Sequence, residues 1–469
     1  MSKYDDDVAA NTRDDAPVEL PSPSEPMAVA RKLVADRYTS PDRLLILRHW
    51  RGGWWRWRTT CWVEIEDRAV RKDAYRFTEH AVYWKATKDA VELAPWSPNR
   101  HKIADLLEAM AAVCFMPETV QQPAWVDGVE APLGVIVACS NGLLHVDSRT
   151  LLHHDPRFFN QTAVPFAYDA DAPEPTKWLA FLDELWPEDN ESVAALQEFF
   201  GYVISGRLDL QKILLLVGPT RGGKGAIARV LGQLVGPANV AGPTLSSLGT
   251  DFGLAPLLGK PLAVISDARL DGRGTSTVVE RLLAISGEDT ITVNRKYKDQ
   301  WTGKLPSRFM LISNELPHFG DAAGAIVGRF VVLLLTRSWL GAEDPGLEPS
   351  LHGELPEVLG WALDGLDRLA RQGRFTVPPS SGDAVIALMD LASPVAAFVR
   401  DRCTRGLGEE ISCATLYAAW KSWAEDNGHK AGSVQVLGRN LRAVVPGVRV
   451  SRPRDDGDRE RVYRGVTLK

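Results

Sequence analysis

The segment that most constrains this chain is Ile213-Leu214-Leu215-Leu216-Val217, which runs into Gly218-Pro219-Thr220-Arg221-Gly222-Gly223-Lys224-Gly225 and then a helical stretch from Ala226 to Val235. A short apolar run bounded by glycine reads as a buried strand, so the order is strand, glycine loop, helix. The spacing G-x-x-x-x-G-K lets backbone N–H groups wrap phosphate oxygens at a helix N-terminus while a lysine reaches the terminal phosphates. Glycine is required because side chains would block that approach. The predicted nucleotide-binding set is therefore Gly218, Pro219, Thr220, Arg221, Gly222, Gly223, Lys224, Gly225 and Ala226. One departure stands out: Gly225 and Ala226 occupy the positions where a magnesium-holding hydroxyl would sit. Thr220, water or an acidic residue is left to take that role, or turnover is slow.

Further strands support the reading. About forty residues on, Pro261-Leu262-Ala263-Val264-Ile265-Ser266-Asp267 is a second buried strand ending in a carboxylate. At a crevice where strand ends meet, Asp267 would order magnesium or the attacking water, or else cap a turn. A third strand, Arg308 to Ser313, ends at Asn314, whose amide suits a γ-phosphate sensor as well as a turn ahead of Pro317. Between them, Ile291 to Lys298 runs into Arg295, Lys296, Tyr297 and Lys298. These residues suit contact with DNA phosphates and a base, or a solvated charge cluster. Arg329, opening the apolar strand Phe330 to Leu333, would serve as a finger to a neighbouring subunit's nucleotide.

A chain of 469 residues implies two to four domains, and its net charge of −6 makes local patches, not a global field, the source of any polyanion binding. No apolar run is long enough to cross a bilayer, so no membrane partner is expected. Cys61, Cys114, Cys139, Cys403 and Cys413 lack CxxC spacing, which argues against a zinc ribbon or disulfide framework and fits a reducing cytoplasm. Residues 1–26, acidic and rich in Pro and Ser, read as a disordered tail. From His49 to Arg58, tryptophans and arginines flank Gly52-Gly53, predicting a hairpin whose tryptophans fill a core or, alternatively, stack on single-stranded bases. From Ser433 to Lys469, nine cations against four acids give a net of +5. Helical patterns at 394–403, 415–427 and 433–444, then a hairpin turning at Asp455 to Asp458, predict a winged helix binding DNA through Arg439, Arg442, Arg452 and Arg454.

The order of Gly218 to Gly225, Ile265-Ser266-Asp267, Arg295 to Lys298, Ile312 to Pro317 and Gly328-Arg329-Phe330 resembles the superfamily 3 helicase pattern. Asn141-Gly142-Leu143-Leu144-His145-Val146, His154-Asp155-Pro156 and Phe199 to Gly206 resemble the pre-helicase domain of phage, plasmid and poxvirus primase-helicases. The resemblance implies an α/β architecture: an AAA+-type P-loop ATPase core, an N-terminal α+β pre-helicase domain and a C-terminal winged helix. The expected boundaries are 1–26 tail, 27–175 pre-helicase, 176–375 ATPase, 376–392 linker and 393–469 winged helix. It further implies ATP and Mg2+ as cofactors, a homo-hexamer with ATP between subunits, and 3'-to-5' translocation on single-stranded and forked DNA in a bacterial host's cytoplasm. Lys224 would be the phosphate lysine, Asp267 the metal or water acid, Asn314 the sensor, Arg329 the finger, and Arg295, Lys296 and Lys298 the channel contacts. No paired-acid priming motif is recognised, so a separate primase is the implied partner. The alternative is an ATP-gated, DNA-bound initiator or loader that scarcely hydrolyses.

Overall fold

The computed structural model describes residues 18–87, 90–130, 132–268, 275–296, 298–317, 324–451 and 461–469. The chain forms two compact units; the first runs to Gly134 and adds Ala138–Leu143 and Leu151–Ala163, and the second holds the remainder through Lys469.

In the first unit, helix α1 (Pro26–Arg37) is followed by strands β1 (Leu47–Trp50), β2 (Gly53–Trp57) and β3 (Trp62–Ile65), helix α2 (Asp67–Thr78), the hairpin β4 (Val82–Ala86) and β5 (Val91–Pro95), and helix α3 (Arg100–Val113). The spacing of Ile103, Leu106, Leu107 and Met110 gives α3 one apolar face, which is buried with Val29, Ala30, Leu33 and Val34 of α1. Asn99 caps α3 by accepting from the Lys102 N–H at 3.1 Å. A hairpin does form here, turning at Arg51 and Gly52 with Gly53 already opposite Trp50, His49 opposite Trp54 and Trp57 opposite Trp62. Both faces of this small sheet are covered, Trp54 joining the helical core while Trp50 and Trp62 pack with Met116 and Phe159. The buried indole N–H groups are satisfied, Trp62 donating to the Pro156 carbonyl at 3.0 Å and Trp50 to Pro117 at 3.1 Å. Residues 18–26, expected in a disordered tail, are instead ordered: Glu19 bridges Val82, and Leu20 is buried in the core. Burial of one leucine, worth roughly 1.5–3 kcal/mol, outweighs the local polar composition. The short strands β6 (Ala124–Trp125), β7 (Ile136–Cys139), β8 (Gly142–His145), β9 (Thr150–Leu152) and β10 (Phe158–Phe159) carry the chain toward the second unit.

The second unit opens with α4 (Thr176–Leu185) and α5 (Asn190–Ile204), and then alternates strand and helix: β11 (Ile213–Val217), α6 (Lys224–Val235), β12 (Val240–Ala241), α7 (Leu245–Leu248), β13 (Leu262–Ile265) and α8 (Thr275–Ser286). A hairpin of β14 (Ile291–Arg295) and β15 (Lys298–Gly303) precedes β16 (Arg308–Ser313), α9 (Gly324–Val327) and β17 (Phe330–Leu334). The sheet order is β12-β13-β16-β11-β17, and every pairing is parallel. Every residue of β11 is buried, as a central parallel strand covered on both faces requires. Because the chain leaves β11 for the far edge and returns to both of its sides, β11 lies at the topological switch point where ligand crevices form.

After β17 come α10 (Leu347–His352), α11 (Leu355–Gln372) and α12 (Gly382–Ala392). Helices α5 and α11 touch at backbone distance. A Cβ on Gly201 would lie 2.4 Å from the Ala362 carbonyl oxygen, and one on Gly365 would lie 2.5 Å from that of Gln197. The stretch 376–392, expected as a linker, is not one throughout: α12 buries Ala384 and Leu388 in the sheet's core, and the Ser381 hydroxyl donates to the Val332 carbonyl at 2.6 Å. The remaining elements are α13 (Pro394–Arg402), β18 (Cys403–Ser412), α14 (Cys413–Asp426), α15 (Val434–Val444), β19 (Arg449–Ser451) and β20 (Val462–Leu468). The strands form an antiparallel sheet in the order β18-β20-β19 around Phe398, Leu416, Trp420, Leu441, Tyr463 and Val466. Strand β18 was not expected. The turn at Asp455 to Asp458 lies outside the described residues.

Candidate nucleotide site

Strand β11 ends at Val217, and the glycine loop begins where Gly218 passes the chain following β17. A Cβ on Gly218 would stand 2.4 Å from the Leu335 carbonyl oxygen, so this crossing excludes any side chain. Gly223 adopts φ +87° immediately before α6, and a Cβ there would meet Leu185 at 2.7 Å. These two glycines turn the chain so that the N-terminus of α6 faces the space above the sheet, with its first-turn N–H groups and the positive end of its dipole aimed there.

Lys224 is buried, 6% exposed, and its ammonium donates to the carbonyls of Gly218 and Pro219, each at 2.7 Å, and to Asn314 Oδ1 at 3.1 Å. All three acceptors are neutral. Burial therefore pushes the Lys224 ammonium below the ordinary lysine range. A cation held by neutral dipoles at a helix N-terminus is poised for an anion. Asn314 reaches it because β16 lies beside β11, with Val217 opposite Ser313.

The loop opens into a cavity of about 680 Å3 lined by Thr220 to Ala226, Ser266 and Asn314. Among the predicted set, Gly218 and Pro219 form the loop's base and do not line the cavity. At the end of β13 it is Ser266, not Asp267, that lines the space, and the Asp267 side chain is exposed. Arg329 stands elsewhere: its carbonyl accepts from the N–H of Ile213, the first residue of β11, whereas Lys224 lies beyond the last. Roughly 13 Å of strand separates those ends. There the Arg329 guanidinium donates to the Gln211 side-chain oxygen, and Lys212 donates to the Gly328 carbonyl at 2.6 Å. Burial and then the Arg329 charge lower the Lys212 ammonium's pKa.

Arg295 closes β14 opposite Lys298 and Lys296 begins the hairpin's turn; Arg295 Nε donates to the Asp299 carbonyl at 2.8 Å. Tyr297 and the Lys298 side chain lie outside the described residues. Arg439 and Arg442 are exposed on α15, while Arg452 and Arg454 lie outside the described residues.

Several cavity walls were not visible in the motif: Lys177, Phe181 and Glu184 from α4, Trp339 and Leu347 after β17, and Arg229 from α6. Only Arg229 carried a local signal, being one helical turn from Gly225.

Residues 31–187 match the family described as D5 N terminal like, and residues 216–328 match a family of unknown function, DUF5906. Among solved structures, an apo structure of the NrS-1 C terminal region (305-718) is similar with a TM-score of 0.53 at 13% identity, covering 94% of this chain and 99% of that one. Its A form apo structure gives 0.52 at 11% identity, covering 90% and 97%. At these identities the likeness shows a shared mixed α/β fold with a parallel sheet. Over residues 31–187 the chain is thus similar to the D5 N terminal like family, and over nearly its whole length it shares the fold of the NrS-1 C terminal region.

Proposed function

We propose that this chain is an ATP-driven DNA-unwinding protein of phage, prophage or plasmid replication, with ATP bound by the P-loop at Gly218 to Ala226. The observation that carries the reading is the Lys224 ammonium, held only 3.1 Å from Asn314 beside a helix N-terminus that opens on the cavity. Triphosphate oxygens would replace the loop carbonyls as acceptors of Lys224, and the first-turn N–H groups of α6 would bind the phosphate chain. Asn314 would then hold the attacking water at the γ-phosphorus. As water's oxygen forms its bond there, the bond to the bridging oxygen breaks, giving ADP and phosphate, and the water's proton leaves to solvent. Asp267, exposed beyond Ser266 and off the cavity wall, takes no part in that step.

The residues expected to hold magnesium directly are not in place; Thr220 and Ser266 are hydroxyls on the cavity wall, and Glu184, Glu343 and Asp344 its carboxylates. Position 225 has no hydroxyl, Asp267 does not line the cavity, and among the described residues no cluster of three His, Cys, Asp or Glu side chains is suited to a metal ion.

Arg329 is too far from Lys224 in its own chain to touch the same nucleotide, which favours a finger acting across a subunit interface in a homo-hexamer. The basic turn of Arg295 and Lys296 would grip the strand during 3'-to-5' movement, and α15, presenting Arg439 and Arg442, would act as the recognition helix of a winged-helix domain over 393–469. A separate primase and a bacterial cytoplasm complete the proposal. The missing hydroxyl at 225 favours a second reading, an ATP-gated initiator or loader. ATP hydrolysis with and without single-stranded DNA, together with displacement on a forked duplex, separates them. The motor predicts DNA-stimulated turnover that falls at least about 100-fold in Lys224→Ala and Arg329→Ala. Intact ATP binding with negligible wild-type turnover would leave the loader.

A further inference from the structure

The space beside position 225 is not empty of charge. If a Cβ were added to Gly225, the first atoms it would meet are those of the Arg229 guanidinium: Nη1 at 3.0 Å, Cζ at 3.8 Å and Nη2 at 3.9 Å. Arg229 lies one turn further along α6, and helical side chains run back toward the N-terminus, so its head group lies over the start of the helix. Glu348 of α10 forms an ion pair with it there, Arg229 Nε lying 2.8 Å from Glu348 Oε2. That tether uses the Nε edge and leaves both terminal nitrogens toward position 225. Arg229 also lines the same cavity as Lys224 and Asn314. A guanidinium therefore stands where a serine or threonine hydroxyl would project, the place from which a metal ion would otherwise be held.

We infer that Arg229 is a phosphate-binding residue that takes over the charge neutralisation ordinarily left to a divalent cation at this loop, so that this chain binds nucleotide with little dependence on a metal. The inference rests on the nucleotide reading of the cavity. Its chemistry follows from the side chain: a guanidinium keeps its charge across the accessible pH range, is weakly hydrated, and offers paired N–H donors that match phosphate oxygens. Glycine at 225 is then the residue that makes room, since even a methyl group would press on Nη1.

The test is titration of the full chain with a fluorescent ATP analogue, in excess magnesium and in EDTA. Wild type is expected to bind with dissociation constants within about threefold of each other in the two buffers. Arg229→Ala is expected to lose about tenfold or more in EDTA, the loss of a charge-assisted contact. In the double variant Gly225→Ser with Arg229→Ala, the restored hydroxyl meets no guanidinium, and binding should become magnesium-dependent. Arg229 is half exposed, so an unchanged melting temperature should accompany its removal. Wild-type binding that disappears in EDTA, or an Arg229→Ala affinity unchanged in EDTA, overturns the inference while leaving the nucleotide site standing. Binding absent from both buffers, or unaffected by Lys224→Ala, removes the nucleotide reading and this inference with it.

Discussion

Replacing Asn314 by aspartate changes one atom's chemistry beside the buried ammonium and keeps the side chain's shape. In the wild type the Asn314 oxygen accepts from Lys224 at 3.1 Å as a neutral partner. A carboxylate at that distance would pair ion to ion with Lys224, toward the upper end of the roughly 1.5–3 kcal/mol of charged hydrogen bonds, where the present ammonium–amide bond sits toward the lower end. It would also set a negative charge at the mouth of a site proposed to receive phosphates. A difference of about 0.5–1.5 kcal/mol corresponds to roughly 2- to 10-fold weaker nucleotide binding at neutral pH. Asn314→Ala, which only removes one of three neutral acceptors, should change binding by less than about threefold. The sign of the pH dependence is fixed: next to Lys224 the new carboxyl's pKa is depressed, so the inhibition persists through neutral pH and is relieved only as pH falls through that depressed value. Equilibrium titration with a fluorescent ATP analogue reads all three proteins. Equal affinities for wild type and Asn314→Asp would refute the placement of the phosphates at Lys224.

The direction of the Lys224 shift gives a second pH prediction: burial lowers its pKa, so nucleotide affinity should begin to fall with rising pH below the ordinary lysine range, and the fall should vanish in Lys224→Arg. Gly201→Ala would drive a methyl group into the backbone of α11, and this overpacking should destabilise the protein by about 3 kcal/mol, read as a lower urea midpoint. Trp62→Ala, which empties a buried site and orphans the Pro156 carbonyl, should cost about 3–5 kcal/mol, whereas Trp84→Ala, at an exposed position, should stay within about 0.5 kcal/mol by the same measurement.

The strand, loop and start of α6 were legible because their information is local: an unbroken apolar run, glycines at fixed offsets and one lysine. The same locality brought out the strands read as ending at Asp267 and Asn314, since a buried parallel strand needs no alternation to be recognised. Three readings failed where local composition and tertiary packing point in different directions. Pro and Ser after Thr376 look like a linker, yet Ser381 is buried against β17 and the helix that follows it supplies Leu388 to the core. Leu20 lies in an acidic stretch, and its burial together with backbone pairing to Val82 sets its placement. Strand β18 carries Gly406, Gly408 and a fully exposed Leu407, so no period of two announces it; the β20 partner pairs with its two ends around a shift in register between Arg405 and Glu410.

The candidate site divides along the same line. Lys224 and Asn314 are ninety positions apart yet meet because β11 and β16 are neighbours, and strand adjacency is inferable when each strand ends in a polar group at the same edge. Phe181 and Trp339 join the cavity from outside the sheet, through packing that no spacing encodes. Arg229 falls between these cases. Its distance from Gly225 is one helical turn, and the backward lean of helical side chains is general, so the pair was available to sequence reasoning once the absence of a side chain at 225 was treated as space to be filled. A missing functional group in a loop of fixed geometry thus directs attention one turn down the helix, where a residue able to reach the vacancy can carry the charge that the loop itself lacks.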